Sequence, residues 1–492
     1  MTFSKTHNTA SSPALEVVVM AAGKGTRMKS RLPKVLHKLA GRPLAAHVID
    51  TATRLGAQRI VVVTGHGAEE VEQRLSALAP QAPLRFVRQS PQLGTGHAVQ
   101  QAAPLLDDAA TVLVLSGDVP LIGHDALRAL IQASQFRQAG AHGQLALLTI
   151  ALDVPTGYGR IVRTEDQNNA GDQNAAVRAI VEEKDASPAQ RAIREVYTGV
   201  MAVPAGRLKP WLARLDNNNA QGEYYLTDIV RMAVDDGVPV VAHRIDDALQ
   251  VAGVNDPVQL AQLERQWQLR QAQALMAQGV RLADPARFDL RGTLTCEADV
   301  EIDVNCIFEG AVSLGAGVRI GANCVIAHAR IEAGARIDPF THIDGEKAGV
   351  IVGPDACIGP FARLRPGAQL GPGVHVGNFV EIKNSILGPG AKANHLAYLG
   401  DASVGARVNY GAGSITANYD GANKHRTVIG DDVHIGSNCV LIAPVTIGAG
   451  GTVGGGSTLS KSTASGALTV ARARQVSVVN WQRPKKKNPG KE

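Results

Sequence analysis

The residues with the plainest chemical content lie early in the chain. Met20-Ala21-Ala22-Gly23-Lys24-Gly25-Thr26-Arg27-Met28 follows a β-branched run and leads to Leu32-Pro33-Lys34. Two glycines around a lysine let backbone N–H groups approach phosphate oxygens, while Lys24, Arg27 and Lys34 supply positive charge. The spacing is neither that of a Walker loop nor that of a dinucleotide fingerprint. A second glycine-rich loop, Gln89-Ser90-Pro91-Gln92-Leu93-Gly94-Thr95-Gly96-His97, carries glutamines able to pair with a base edge. Ser116-Gly117-Asp118 ends another apolar run, and an aspartate there is placed to take a hard divalent ion such as Mg²⁺. Alone, that aspartate serves as well for a turn or a helix cap. It gains weight from sharing an edge with the glycine loop.

Those loops need a sheet to hold them. Short β-branched runs at 17–20, 59–63, 84–87, 111–115, 145–152 and 238–245 alternate with helical patterns at 44–55, 69–78, 126–134 and 226–234. The alternation predicts an α/β domain with a mostly parallel sheet covered on both faces, and ligands beyond the carboxyl ends of its strands. Asp256-Pro257 then reads as an N-cap and first helical residue, with Leu260, Leu263, Trp267 and Leu275 on one face and Gly279 as the stop. At about 1.5 Å per residue such a helix spans about 33 Å, either as an arm between domains or packed onto the first one.

From about Gly279 the pattern changes. Ile429, Ile435, Leu441, Ile447, Val453 and Leu459 fall six residues apart, most of them followed by glycine. Val352, Ile358, Leu364, Leu370, Val376 and Ile382 form an earlier ladder, preceded by Leu314, Ile320 and Ile326 and by Ile331, Ile337 and Ile343. Six is neither the helical period nor strand alternation, and it predicts a parallel β-helix with the aliphatic residues stacked inward. The neighbouring glycine stands where a Cβ would crowd the corner. Residues 344–350 read as a loop thrown out of the coil. The step is less regular over 384–428, where a repeat protein places functional insertions; 418–425 (Asn-Tyr-Asp-Gly-Ala-Asn-Lys-His) is the clearest of these. His395 lies in the same stretch.

The expected division is an N-terminal extension over 1–14, polar and without an apolar signal region, a first domain over 15–257, a linker helix over 258–278 and a β-helix domain over 279–492. With 52 glycines and only 4% aromatic residues among 492, the composition suits aliphatic stacking with tight corners. The net charge of +6 favours anionic ligands. The basic tail around Lys485-Lys486-Lys487 lacks interleaved aromatics and reads as solvated, which argues against a nucleic-acid site. Cys296, Cys306, Cys324, Cys357 and Cys439 include no CxxC pair and read as free thiols in a reducing compartment. No apolar run reaches bilayer-spanning length, so a cytoplasmic protein without membrane attachment is expected.

Residues 21–28 with Pro33-Lys34, then 93–98 and Gly157-Tyr158-Gly159-Arg160, resemble the sugar-phosphate nucleotidyltransferase family. Residues 217–225 (Asn-Asn-Asn-Ala-Gln-Gly-Glu-Tyr-Tyr) and Gly253-Val254-Asn255 narrow the resemblance to its bacterial bifunctional uridylyltransferase/acetyltransferase branch, over nearly the whole chain. That resemblance implies a Rossmann-like first domain in which UTP meets Met20, Ala21, Ala22, Gly23, Lys34, Gln89, Gly94 and Thr95. Ser116 and Gly117 would add contacts, Asp118 and Asn255 would hold Mg²⁺, and Gly159, Glu182 and Tyr197 would face the sugar. Tyr197 replaces the family's usual Asn and can donate and accept through its hydroxyl; it also suits a half-buried strand position. Met20 replaces a usual Leu, and Ser116 a common Tyr.

Gly377-Asn378-Phe379-Val380-Glu381-Ile382-Lys383 and residues 392–401 resemble the acetyltransferase half. Acetyl transfer from a thioester to an amine needs the amine deprotonated, and a histidine suits that proton at neutral pH. His395 is the implied base. Arg365 and Lys383 would grip the sugar phosphate, Tyr398 and Asn409 the sugar, and Ala412, Asn418, Tyr419, Ser437, Gly455 and Arg472 acetyl-CoA. Gly455 stands where Ala is frequent, Ala417 where some members carry Cys, and Tyr410 where an aliphatic residue is usual. The resemblance further implies a left-handed β-helix and a homotrimer binding acetyl-CoA between subunits. The expected activity makes UDP-N-acetylglucosamine from glucosamine 1-phosphate, acetyl-CoA and UTP through N-acetylglucosamine 1-phosphate, for peptidoglycan and lipopolysaccharide precursors. The alternatives are a single-activity nucleotidyltransferase with a structural or regulatory β-helix, and a non-catalytic scaffold; the first lacks a use for His395, Lys383 and Arg365, the second for Lys34, Asp118 and Asn255.

Overall fold

The computed structural model describes residues 13–136, 143–164 and 175–484. Most of the expected extension over 1–14, and the basic residues 485–487, lie outside the described residues. The chain divides into two compact units, 1–267 and 268–492.

In the first unit a nine-stranded sheet runs β9-β5-β8-β4-β1-β2-β3, with β6 beside β8 and β7 beside β6. These are β1 (Leu15–Ala21), β2 (Arg59–Thr64), β3 (Leu84–Arg88), β4 (Thr111–Ser116), β5 (Leu145–Ala151), β6 (Arg160–Arg163), β7 (Val177–Val181), β8 (Glu195–Pro204) and β9 (Val240–Ile245). The half from β4 to β3 is parallel, while β8 runs antiparallel between β4 and β5. Successive β1 residues point to opposite sides. Val17 and Val19 pack with α1 (Leu44–Arg54) and α2 (Ala68–Leu78). Val18 packs with α3 (Thr95–Ala102), α5 (Ala205–Arg214) and α6 (Asp228–Asp235), while α4 (His124–Gln135) joins the first layer. Burial on both faces explains why these strands read as unbroken apolar runs.

The helix α7 (Pro257–Ala277) carries the unit boundary. Asp256 Oδ1 accepts from the Gln259 N–H at 2.8 Å, as an N-cap should. Leu263 belongs to a core of the first unit, whereas Ala272 and Leu275 belong to the core of the second. Gln268 is buried and pairs with both backbone groups of Leu290, at 2.7 and 2.9 Å.

The second unit is a parallel coil with three faces. One is an 11-stranded sheet; the other two are the arms of a 16-stranded sheet that share strand Val325–Ile331. The six-step ladder is the interior: Ile302, Ile320, Ile337, Ile358 and Val376 stack in register, and Ala393, Tyr410, Ile435 and Val453 continue the column. Tyr410 is accommodated because one of the two residues stacked on it, Ala393, is small; the other is Ile435. A Cβ on Gly436 would lie 2.4 Å from the Gly455 nitrogen, so crowding from the next coil is what demands glycine there.

One expectation needs correction. The stretch 384–428 is regular up to Ala417: Val376, Ala393 and Tyr410 follow each other at 17 residues, one short of three six-residue steps. That shortfall disturbs the sequence period without breaking the coil. Only the hairpin after Ala417 leaves it, and Tyr410 is therefore 25 residues from Ile435. His395 stands on a regular coil, at the end of strand Lys392–His395.

Candidate active sites

In the first unit β1 and β4 are parallel neighbours in register, so the loops after Met20 and Ser116 leave the same edge. A cavity of about 280 Å³ opens there, lined by Met20, Ala21, Ala22, Gly23, Lys34, Gln89, Gly94, Thr95, Ser116 and Asp118, with Gln92 and Glu223 in addition. Gly25 adopts φ 58°, and a Cβ on it would lie 2.7 Å from the Lys34 Cβ; the loop thus packs directly on the lysine. Gly94 adopts φ 107° against the backbone of Tyr224, whose N–H donates to Leu93 O at 2.8 Å. The 217–225 motif therefore buttresses the second glycine loop. Gln89 donates to Gly94 O at 2.9 Å, and Thr95 Oγ1 accepts from the Leu226 N–H at 3.1 Å.

The Lys34 ammonium is ion-paired with Asp118 Oδ2 and donates to Asn255 Oδ1 at 3.3 Å. Ser116 Oγ donates to the other Asp118 oxygen at 2.6 Å. Asn255 is fixed in turn, its N–H donating to Gln259 Oε1 at 2.8 Å and its Oδ1 accepting from Arg27 at 2.9 Å. Two hard oxygen donors thus converge on one cation, a donor set that fits Mg²⁺, which takes one or two protein oxygens and completes its shell with water and phosphate. Among the described residues no group of three or more His, Cys, Asp and Glu could hold a metal ion, so substrate oxygens would complete the set.

Gly159, Glu182 and Tyr197 form a separate group. The Tyr197 N–H donates to Gly159 O at 2.9 Å, and a Cβ on Gly159 would come within 3.6 Å of both Glu182 oxygens. Thr227, which the sequence did not single out, donates to Glu182 Oε1 at 2.9 Å. Burial, followed by the nearby Asp228, Asp185 and Glu223, pushes the Glu182 carboxyl above the usual carboxylate range against the Thr227 bond. The Tyr197 side chain is buried in the core, and its hydroxyl has no partner among the described residues.

In the second unit His395 is exposed at a corner, with its Nδ1 2.8 Å from Oδ1 of Asn378, one coil earlier and in register. Four carbonyls run up that corner: Asn378, His395, Ala412 and Ser437 each accept from an N–H of the next coil, at 2.7–3.2 Å. Gly455 and Arg472 extend the line, the guanidinium donating to Gly455 O at 2.6 Å. The proposed base and most of the expected coenzyme residues therefore share one edge. A Cβ on Gly455 would meet only ordinary contacts at 3.4 Å and beyond, so alanine fits that position too.

Beside the corner lies the arm carrying Glu381–Lys383 and Tyr398–Gly400. Arg365 is ion-paired with Glu381 at 2.8 Å. Lys424, together with burial and Arg365, holds the Lys383 amine below the usual lysine range. Lys424 comes from the hairpin and was not singled out in the sequence, nor was Asn378, although both lie inside motifs read there. Asn418 anchors the hairpin by donating to the buried Asp401 carboxylate. Tyr419 is exposed on the hairpin, which begins one strand, Ile415–Ala417, after Ala412. Asn409 stands on the 11-stranded face between Lys392 and His434, not on the face of Lys383 and Tyr398.

Comparison with known proteins agrees with this division. Residues 17–187 match a MobA-like NTP transferase domain, and residues 349–384 and 426–461 match the bacterial transferase hexapeptide family of six repeats. The protein named "Bifunctional protein GlmU" of Paracidovorax citrulli is 70% identical over 96% of this chain and 99% of its own length. The proteins of the same name from Acidovorax ebreus and Albidiferax ferrireducens are each 68% identical, covering 97% and 96% of this chain and all of their own. The chain belongs to the GlmU family. GlmU-family membership makes it a transferase with two activities, a nucleotidyltransferase followed by a hexapeptide-type acyltransferase on a left-handed parallel β-helix. Among the described residues no helix is long and apolar enough to cross a membrane.

Proposed function

We propose that the protein makes UDP-N-acetylglucosamine in two steps. The β-helix unit transfers acetyl from acetyl-CoA to the amine of glucosamine 1-phosphate. The first unit then joins N-acetylglucosamine 1-phosphate to the uridylyl group of UTP and releases pyrophosphate. The observation that carries this reading is the corner of the β-helix, where a histidine held by Asn378 begins the edge of expected coenzyme residues beside a cluster of cations.

With Asn378 Oδ1 toward the ring, His395 Nδ1 carries the hydrogen and Nε2 the lone pair. Nε2 takes a proton as the substrate nitrogen bonds to the thioester carbonyl carbon. The carbon–sulfur bond then breaks, and the departing thiolate receives that proton. Arg365, Lys383 and Lys424 hold the phosphate, Tyr398 and Asn409 the sugar, and Ala412, Asn418, Tyr419, Ser437, Gly455 and Arg472 the coenzyme.

In the first unit a phosphate oxygen of the sugar bonds to the α-phosphorus of UTP, and the bond from that phosphorus to the pyrophosphate oxygen breaks. Met20 to Gly23, Gln89, Gly94 and Thr95 orient the nucleotide, while Gly159 and Glu182 face the sugar. Asp118 and Asn255 would hold Mg²⁺, which when bound neutralises charge gathering on the phosphates. Lys34 adds positive charge from the protein, and no protein nucleophile is required.

The reading includes a homotrimer in the cytoplasm. Phe340, Phe361 and Phe379 stack along the corner that carries His395, ring centroids 5.0 and 5.3 Å apart, and Leu396 follows them. All four are about half exposed or more, a ridge that a neighbouring copy would cover. Asn409, turned away from Lys383 and Tyr398, would then serve a site completed by a neighbour. Five free thiols suit a reducing compartment.

The test supplies acetyl-CoA, glucosamine 1-phosphate, UTP and Mg²⁺ and looks for UDP-N-acetylglucosamine. Uridylyl transfer to N-acetylglucosamine 1-phosphate without acetyl transfer would instead leave a nucleotidyltransferase with a structural β-helix.

A further inference from the structure

The hairpin that carries Lys424 poses a physical question. It leaves the coil beside Lys383, because Asn418 at its root is bonded to Asp401, whose N–H donates to Lys383 O at 3.1 Å. Lys424 and Arg365 hold the Lys383 amine below the usual lysine range, and like charges push such a lysine away. The position has to be imposed by the hairpin itself. At its root the Asn418 amide donates to Asp401, the His425 N–H donates to Asn418 O at 2.8 Å, and Arg426 Nε donates to Ser403 Oγ at 2.8 Å. Tyr419 and Lys424 pair across it as an antiparallel bridge. Toward the tip, Asp420 Oδ1 accepts from the N–H groups of Ala422 and Asn423 at 2.8 and 2.6 Å, and its other oxygen meets His425 Nε2 at 2.6 Å. The Asn423 N–H, His425 and the Ala422 N–H together hold the Asp420 carboxyl well below the usual carboxylate range, so the histidine faces a standing negative charge.

We infer that His425 is a positioning residue for acetyl transfer: its contact with Asp420 clasps the hairpin and sets the Lys424 ammonium against Lys383, completing a three-cation seat for the phosphate of the sugar substrate. His425 touches no reacting atom. Its effect passes through Lys424, which pairs with Tyr419 across the hairpin and directly precedes His425. The inference rests on the acetyltransferase reading above and narrows it to one subsite. It gives the sugar phosphate two kinds of anchor, Arg365 and Lys383 on rigid coil and Lys424 on a hairpin whose closure the clasp governs.

The experiment measures steady-state acetyl transfer by the full-length protein, varying glucosamine 1-phosphate and acetyl-CoA separately. Loss of one charge-assisted phosphate contact corresponds to about a tenfold rise in KM. His425→Ala should show that rise for glucosamine 1-phosphate with kcat unchanged and a smaller rise in the acetyl-CoA KM, because Tyr419 pairs with Lys424 on the same hairpin. His425→Gln, whose amide can still donate to Asp420, should restore most of it. In a Lys424→Ala background, His425→Ala should add nothing, because the two act in series. An unchanged sugar-phosphate KM in His425→Ala, or additive losses in the double variant, would overturn the clasp. A fall in kcat with thermal unfolding also lowered would assign His425 to folding instead. Absence of acetyl transfer in the unaltered protein would overturn the acetyltransferase reading itself, and uridylyl transfer by every variant reports that the first unit is intact.

Discussion

His395 is exposed, so nothing but its partner fixes which ring nitrogen is free. An amide oxygen on Nδ1 selects the tautomer with its lone pair on Nε2. Replacing His395 with alanine should lower the acetyl-transfer kcat about 10²- to 10⁴-fold, the range a general base contributes, while uridylyl transfer persists. Asn378→Ala keeps the imidazole but frees the ring to rotate and exchange tautomers. It should lower kcat less than the loss of His395 does, which steady-state rates of the two variants would register. Glu182 gives a prediction of another kind. Burial raises its folded-state pKa, so the fold carries a charge that the unfolded chain holds more easily, and the penalty grows as pH rises through that raised value. Glu182→Gln should therefore resist urea better at pH 7, with the advantage shrinking toward the ordinary glutamate value of about 4.3. A constant difference across pH would mean the gain is not electrostatic.

At the scale of elements, the sequence made the interior of the β-helix legible and left its corners hidden. Aliphatic residues six apart state which side chains stack inward, because the coil repeats its geometry. They do not state that Phe340, Phe361 and Phe379 adopt positive φ and stand outward, at 61°, 57° and 58°. The pairing of Asn378 with His395 could have been found by stepping back one coil, but only once the length of that coil was known to be 17. In the first unit β1, β2 and β4 were readable from unbroken apolar runs. The strand β8 was not, since Gly199 and a register shift between Tyr197 and Met201 interrupt its pattern. The same contrast covers the site: the glycine loops announce themselves through composition, whereas Thr227 and Lys424 reach it only through tertiary packing. Tyr410 illustrates how local tolerance works inside the coil. Its hydroxyl is buried without a partner among the described residues, so Tyr410→Phe removes an unmet hydrogen bond while keeping the ring over Ala393. A gain of about 1 kcal/mol, or about 2–4 °C in Tm for a unit of this size, should follow in thermal unfolding. A loss would show that the hydroxyl is in fact satisfied.

For the whole molecule, the two sites differ in what a single chain supplies. In the first unit the phosphate loop, Lys34, Asp118 and Asn255 converge on one cavity through hydrogen bonds made within that unit. In the second, Asn409 and the Lys383–Tyr398 pair face different ways around a convex corner, and an apolar ridge beside His395 is uncovered. A convex corner cannot wrap a small ligand, whereas the same corner set against a neighbour makes a groove. The two activities should therefore part company on dilution. Uridylyl transfer per chain should stay constant, while acetyl transfer per chain should fall as the assembly dissociates. Phe361→Glu, which sets a charge into the ridge without touching any proposed ligand contact, should move that fall to higher protein concentration. Parallel measurement of both rates against sedimentation or light scattering distinguishes the cases. If acetyl transfer survives in the monomer, one chain completes its own site and the ridge serves some other end. If both activities fall together, the first unit also depends on assembly, and the independence argued from its internal contacts is wrong.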